Sequence, residues 1–454
     1  MIQVRKVLLA VLFCTVGISL SFGQSINIDS LCPPRPETAA VFKPGAYPAA
    51  VRPYREAALA TYRYMMSLPA MTDLVKTGKP CQRYQHNAYV SKTHAAHIMA
   101  MLVLAKADPT QEKQAMKFAK ASAEFLLSEM EPEDAPLAYW PPTYGRKPLE
   151  YNPETDGPYN RPAMVGNEPE GAVKYRGEVM LLYPANVGIA FVAYYEQTKD
   201  RRFLDAAIGI ANTYLKTRRP DGSWSLKMKL ATGEELGENT LVPTRALLLF
   251  KALADVTHKK AWRKAEKETF KWLDNNPLKD WNWDGQFEDI QPEEPYKNPT
   301  KYNALDVMQY LLARFHGKKD RMKTCKELLD FCEKRFVVWE TPADRPDWPA
   351  PSVLEQYSCF TPIDSSSARM IEAYLAMYGT FGDSIYLEKA TALANTITRI
   401  QKESGRIPTF WDGVARNANL SIEQYDWLNC MASSAESLLI KESRISDPIH
   451  QDSW

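Results

Sequence analysis

Three clusters of polar and aromatic residues carry side chains able to do chemistry. Three of the six histidines, His86, His94 and His97, fall within twelve residues. The first cluster is Arg83–Tyr84–Gln85–His86–Asn87–Ala88–Tyr89. A histidine titrates near neutrality and can take a proton in a reaction. An amide beside it can hold a carboxylate. His86 and Asn87 are therefore candidate catalytic groups, with Arg83 and Tyr89 as substrate contacts. His94 and His97 are three apart and share a helical face. No carboxylate follows at ligand spacing, so no metal site is expected, and no other cofactor. The second cluster runs from Trp281 through Trp283, Asp284, Gly285, Glu288 and Asp289 to Tyr302. Trp283 can stack on a sugar ring and Glu288 can bond its hydroxyls. Glu288 and Asp289 are adjacent, so they point apart on a regular element and make no acid/base pair by themselves. Tyr302 offers a phenol able to donate to a leaving glycosidic oxygen. The third cluster, Glu355 to Asp364, offers Tyr357 as a further substrate contact. Cys359 has no neighbouring histidine and is a poor nucleophile. Asp364, followed by Ser365 and Ser366, suits a helix N-cap.

Residues 131–177 interleave basic and aromatic side chains, Arg161 and Arg176 among them. Arginine binds planar carboxylates through two parallel hydrogen bonds. Acidic residues are scattered through the same stretch, so a plain solvated lid is the alternative to an anion-binding loop.

These clusters need a scaffold, and the chain supplies one by repetition. Five segments each hold an apolar helix rich in small residues and then an amphipathic helix. They pair 91–105 with 110–129, 183–197 with 201–218, 240–256 with 260–275, 304–315 with 320–336, and 366–378 with 383–402. In 201–218, Phe203, Ala206, Ala207, Ile210 and Tyr214 form one helical stripe. Helices over 51–68 and 421–441 remain unpartnered. If they pair, the chain closes into an (α/α)6 toroid, with a seventh hairpin conceivable inside 131–177; an open solenoid is the alternative. The candidate clusters would lie on its long rim loops. Strand is expected only in loops such as 223–230. Aromatic Asp-Gly turns recur at Asp221–Gly222–Ser223–Trp224, Trp283–Asp284–Gly285 and Trp411–Asp412–Gly413, between an outer helix and the next inner one.

The first 24 residues read as a signal peptide. Arg5 and Lys6 precede an apolar run, Val7 to Phe22, and small or polar residues follow. Cleavage near residue 24 leaves a single domain over 25–454, periplasmic or secreted, with no later membrane span. The six cysteines beyond the signal are spaced too irregularly for a disulfide framework and read as small buried groups. Lys and Arg total 56 against 55 Asp and Glu. So even a balance argues against a nucleic-acid partner. The 45% hydrophobic and 24% charged content excludes a wholly disordered chain.

Helical-hairpin repeats with Asp-Gly-aromatic turns behind a signal peptide resemble the six-hairpin toroids of carbohydrate-active enzymes. That group includes hydrolases of unsaturated uronides, sugar epimerases, and lyases of alginate or glucuronan. The resemblance implies an exported enzyme acting on an acidic oligo- or polysaccharide, and the chain is expected to be a monomer. The types His86, Asn87 and Tyr302 fit β-elimination from a uronic-acid glycan. The alternatives are a glycoside hydrolase with a carboxylate pair about 5 to 9.5 Å apart, and a non-catalytic glycan-binding toroid.

Overall fold

A computed structural model describes residues 26–80, 89–145, 164–165, 168–169, 175–284, 286, 295–358, 361–413 and 426–446. Six helices form an inner ring: α3 (Val90–Ala107), α5 (Leu182–Thr198), α7 (Thr244–Thr257), α9 (Lys301–Arg314), α11 (Asp364–Phe381) and α13 (Leu428–Ser446). Six more lie outside: α1 (Tyr54–Ser67), α4 (Glu112–Ser128), α6 (Arg201–Thr217), α8 (Lys260–Asn275), α10 (Lys319–Phe336) and α12 (Ser384–Ile400). A short helix, α2 (Pro69–Thr77), follows α1. Each inner helix packs on its two inner neighbours, and α13 returns to α3. The last hairpin pairs α13 with α1, so the chain's two end helices close the ring. The fold is the expected (α/α)6 toroid; a seventh hairpin is absent among the described residues.

The two layers differ because their sequences differ. Inner helices such as α5 are apolar almost all round, as a helix packed on three sides must be. Outer helices such as α6 and α8 carry one apolar stripe, turned inward. Asp200 and Asp383 cap α6 and α12, their carboxylates accepting from the amides of Arg202 and Ile385. Asp364 departs from expectation. It is the first helical residue of α11, not its cap, and accepts from the adjacent Ser365 amide at 2.7 Å.

Strands are few. Glu178–Met180, Ser225–Lys229 and Glu235–Thr240 form an antiparallel sheet across one end of the ring. The helix expected from residue 240 starts at Thr244, because Glu235–Thr240 is strand and Pro243 precedes the first turn. Cys32, Cys325, Cys332 and Cys430 are free and buried, as small apolar groups. No described helix is long and apolar enough to cross a membrane.

The recurrent turns are structural. Asp221 accepts from the amide and hydroxyl of Ser223 at 2.9 and 2.7 Å. Gly222 and Gly413 take φ of +87° and +68°, a region glycine enters without a Cβ clash. Trp224, Trp283 and Trp411 are all buried.

Candidate functional site

The inner helices turn one face to the outer layer and the other to the bore. On the bore side, half-buried positions recur every three or four residues. They are Ala96 and Met99 on α3, Asn186 and Ile189 on α5, and Leu248 on α7. The arc made by α9, α11 and α13 carries charge instead. There the half-buried positions include Tyr302, Arg369, Glu372 and Glu436, joined by Arg245 from the start of α7. One side of the bore is therefore largely apolar, with Asn186 its polar member, and the other ionic.

The ionic side is a single network. Asp306 is almost wholly buried. It accepts from Arg369 Nη2 at 2.5 Å and from the Thr244 hydroxyl at 3.1 Å, and forms an ion pair with Arg245, whose Nε lies 3.0 Å away. A buried carboxylate this fully bonded holds its partners in place. The second guanidinium nitrogen of Arg369 donates to Glu372 at 2.7 Å, one turn along the same helix. Arg369 Nε has no protein acceptor. Glu436 on α13 faces this pair. Burial pushes its carboxyl up to about 8, and the Glu372 charge adds to the rise while Arg369 opposes it. Burial therefore favours the protonated form of Glu436 beside the Glu372–Arg369 pair.

Tyr302 stands at the mouth. Its hydroxyl lies 3.2 Å from Ser366 Oγ and 3.5 Å from Ser365 Oγ. Burial raises its pKa, so it remains a neutral phenol, a donor and not a base. Lys301 lies beneath the ring, its ammonium 4.3 Å from the centroid. That lysine is fully buried and donates to the carbonyls of Leu354 and Glu355 at 2.7 and 2.8 Å. Desolvation pulls it down to about 7. Asp364 and Asp426, on the same rim, are also raised by burial. Asp426 is committed to Arg406 and to the Thr409 amide.

The remaining sequence candidates fall in different places. Tyr89 lies on the rim, where its ring meets Tyr144 at 5.5 Å and Trp427 at 5.2 Å. The Lys92 ammonium sits over both Tyr89 and Trp427. Arg176 donates to the Gly145 carbonyl at 3.0 Å. Tyr357 is bound up with the N-terminal segment. Its hydroxyl donates to the Pro33 carbonyl, and its own carbonyl accepts from Arg35. Trp283 is fully buried in the core and presents no face for a sugar to stack on. His86, Asn87, Arg83, Arg161 and Glu288 lie outside the described residues. Of the proposed catalytic groups, Tyr302 alone is seen, and it neighbours the ionic bore.

His94 and His97 belong to the core. Both are wholly buried between α3 and α4, with the His94 ring edge-on to Phe125 at 4.7 Å. Neither nitrogen of His97 has a hydrogen-bond partner, and burial pulls it down to about 4. They do not face the bore. Among the described residues, no group of three His, Cys, Asp or Glu side chains is placed to hold a metal.

Sequence reasoning missed Arg245, Asp306, Arg369, Glu372 and Glu436. A signal was present. Each is a charge set inside a helix otherwise built for burial, a costly placement unless it is paired or used.

Comparisons with known proteins fit this fold. Residues 222–419 match the family model of N-acylglucosamine 2-epimerase. No curated protein matches the chain in sequence. Among solved structures, a family 76 α-mannanase from Bacteroides thetaiotaomicron is similar, with a TM-score of 0.57 at 14% identity, covering 87% of this chain and 97% of that one. Cellobiose 2-epimerase from Spirochaeta thermophila gives 0.58 at 11% identity, covering 86% and 98%. An unsaturated glucuronyl hydrolase specific for heparin gives 0.50 at 10%, covering 87% and 96%. At these identities the likeness establishes the fold.

Proposed function

We propose that this chain is a carbohydrate-processing enzyme, a glycoside hydrolase that works in the bore of the toroid. Glu436 is its acid and Glu372 the partner carboxylate. The observation that carries this reading is Glu436, a half-buried carboxyl whose protonated form burial favours, facing a second carboxylate, Glu372, that accepts from Arg369. Glycoside hydrolysis needs this division of labour. One carboxylic acid protonates the leaving oxygen, and one carboxylate activates water or attacks the anomeric carbon. Asp306 and Arg245 hold Arg369 in place; they are positioning residues. The neutral phenol of Tyr302 and the Nε of Arg369 are donors for sugar hydroxyls. The apolar arc of Ala96, Met99, Ile189 and Leu248 suits the flat face of a sugar ring.

A second reading follows from the family match over residues 222–419. An epimerase removes the proton on the carbon next to a carbonyl and returns it to the opposite face. Glu372 is then the base and Glu436 the proton donor, on an open-chain sugar. The β-elimination reading rests on His86 and Asn87, outside the described residues, and the compared proteins are named as hydrolases and epimerases. The active protein is the exported form, with residues 1–24 removed.

One assay separates the readings. The purified protein is incubated with α-mannan, alginate, glucuronan and heparin, and separately with cellobiose and N-acetylglucosamine. Reducing ends without ultraviolet absorbance at the sugar double bond support hydrolysis, and Glu436→Gln abolishes them while leaving binding. Isomerised product from a free sugar moves the assignment to epimerisation. Reducing ends accompanied by the double-bond absorbance restore β-elimination.

A further inference from the structure

The outer face of α8 carries the longest row of exposed lysines among the described outer helices; α4 carries a shorter one at Lys113, Lys117 and Lys120. Every exposed charged residue from 258 to 279 is basic: Lys259, Lys260, Lys264, Lys267, Lys271 and Lys279. Four of these, at positions 260, 264, 267 and 271, fall on one helical face and span about 16 Å. The acids of α8 are turned away. Glu266 is buried against Arg263 and Arg314. Glu268 is taken by Arg218 at 2.7 Å, with Lys264 a distant 3.8 Å, and Asp274 by Arg321. Among the described residues, Lys260, Lys267 and Lys271 have no ion-pair partner.

Neighbouring outer helices balance their charges. On α10, Lys323 pairs with Glu327 and Lys334 with Asp330. On α6, Arg201 pairs with Asp205, and Arg202 with Glu124 and Asp200. A chain with a net charge of only +1 has thus gathered an uncompensated positive row on one helix. An open hollow of about 380 Å³ lies along it, lined by Lys260, Arg263, Lys264, Lys267 and Glu268.

We propose that this row is a docking track for a linear polyanionic polysaccharide, separate from the bore. The charge pattern names the ligand as a polyanion. Its form as a single straight row, with mixed-charge helices on both sides, fits a chain and not a broad surface. None of the exposed large hydrophobic side chains lies on α8, so the face has no apolar anchor for a membrane. The track also has a direction. The chain leaving α8 runs on to α9, whose first turn carries Tyr302 at the mouth of the bore. An acidic glycan lying along α8 is thereby kept near the site. Only this last point rests on the hydrolase reading; the binding itself does not.

The test is affinity electrophoresis of the mature protein in gels containing alginate, with dextran as the neutral control. Alginate is expected to retard the wild type and dextran not to. Replacing Lys260, Lys264, Lys267 and Lys271 together by Gln removes four exposed charge contacts and is expected to weaken alginate binding about thirty-fold. The same four positions changed to Arg retain binding, which excludes misfolding as the cause. Glu436→Gln binds alginate as the wild type does, so failure of the track and failure of the proposed acid are read separately. Three results overturn the proposal: no retardation of the wild type, undiminished affinity in the Gln variant, or capture by phosphatidylserine vesicles with none by alginate.

Discussion

Replacing Glu436 by Gln should remove activity and stabilise the protein in alkali. Burial and Glu372 push the carboxyl from its ordinary 4.5 up to about 8. A group raised on folding binds its proton more tightly in the native state. Its contribution to stability is therefore complete below about pH 4.5 and is lost as the pH rises through 8. At about 1.36 kcal/mol per pKa unit, the ceiling on that loss is about 5 kcal/mol. Glu436 opens partly to the bore, where water screens the charge, so about 2 kcal/mol is the realistic figure. Gln has nearly the same shape and no charge to develop. At pH 5 the variant should match the wild type in urea unfolding, because both carry a neutral side chain. At pH 9 it should be more stable by about 2 kcal/mol. Turnover by the wild type should fall as the pH rises through about 8, and the variant should show none at any pH. Equal destabilisation at pH 5 and pH 9 would refute the reasoning, since Glu436 would then be an ordinary packing group.

Other parts of the structure make separate predictions. Arg369→Met strips Asp306 and Glu372 of their shared partner and leaves buried charge uncompensated. It should cost about 3–5 kcal/mol by chemical unfolding. His97 is wholly buried and held neutral, its pKa pulled down to about 4. The unfolded chain takes up that proton first, so stability drains as the pH falls from 6.5 toward 4. His97→Leu should flatten that acid limb between pH 6 and pH 4.5 in a thermal-melt series. Gly405 takes φ +91°, and a Cβ there would lie 2.3 Å from the Ala60 carbonyl oxygen. Gly405→Ala should therefore destabilise by about 2 kcal/mol or more and loosen the contact that ties the C-terminal loop to α1.

The scaffold was legible because repetition is a strong signal. Apolar helices alternate with striped ones, and closure followed from two unpartnered helices at the chain's ends. Most helix boundaries fall within a few residues of those read from sequence. The displaced start of α7 reflects a strand, Glu235–Thr240, that its sequence marks weakly. The site was harder to read. Rim loops dense in His, Trp and acid drew attention because chemistry often sits on loops. Trp283 shows the weakness of that rule. Its turn repeats those of Trp224 and Trp411, and the repetition meant shared packing. The five bore charges sit on four different helices, far apart in sequence. Only the ring's closure brings Asp306 to Arg245 and Arg369, and no local pattern contains that.

The same network bears on the choice between hydrolysis and epimerisation. Both need a proton donor and a carboxylate, and Glu436 with Glu372 supplies both. They differ in what else the site must do. An epimerase must open a sugar ring and hold a free carbonyl, so its substrate ends at the reacting carbon. A hydrolase must seat sugar on both sides of a glycosidic oxygen, so its groove has to extend past the acid. Glu372 and Glu436 each stand two turns in from the start of their helices, about 12 Å below the rim. Tyr302, Ser365 and Ser366 stand at the mouth above them. That depth accommodates a sugar at the acid and another at the phenol, the arrangement a chain-end hydrolase requires. Tyr302→Phe decides the point. In a hydrolase it should raise KM for oligosaccharides by about tenfold, the worth of one hydrogen bond, with kcat little changed. In an epimerase working on a single sugar at the depth of Glu436, the same change should leave both constants as they were.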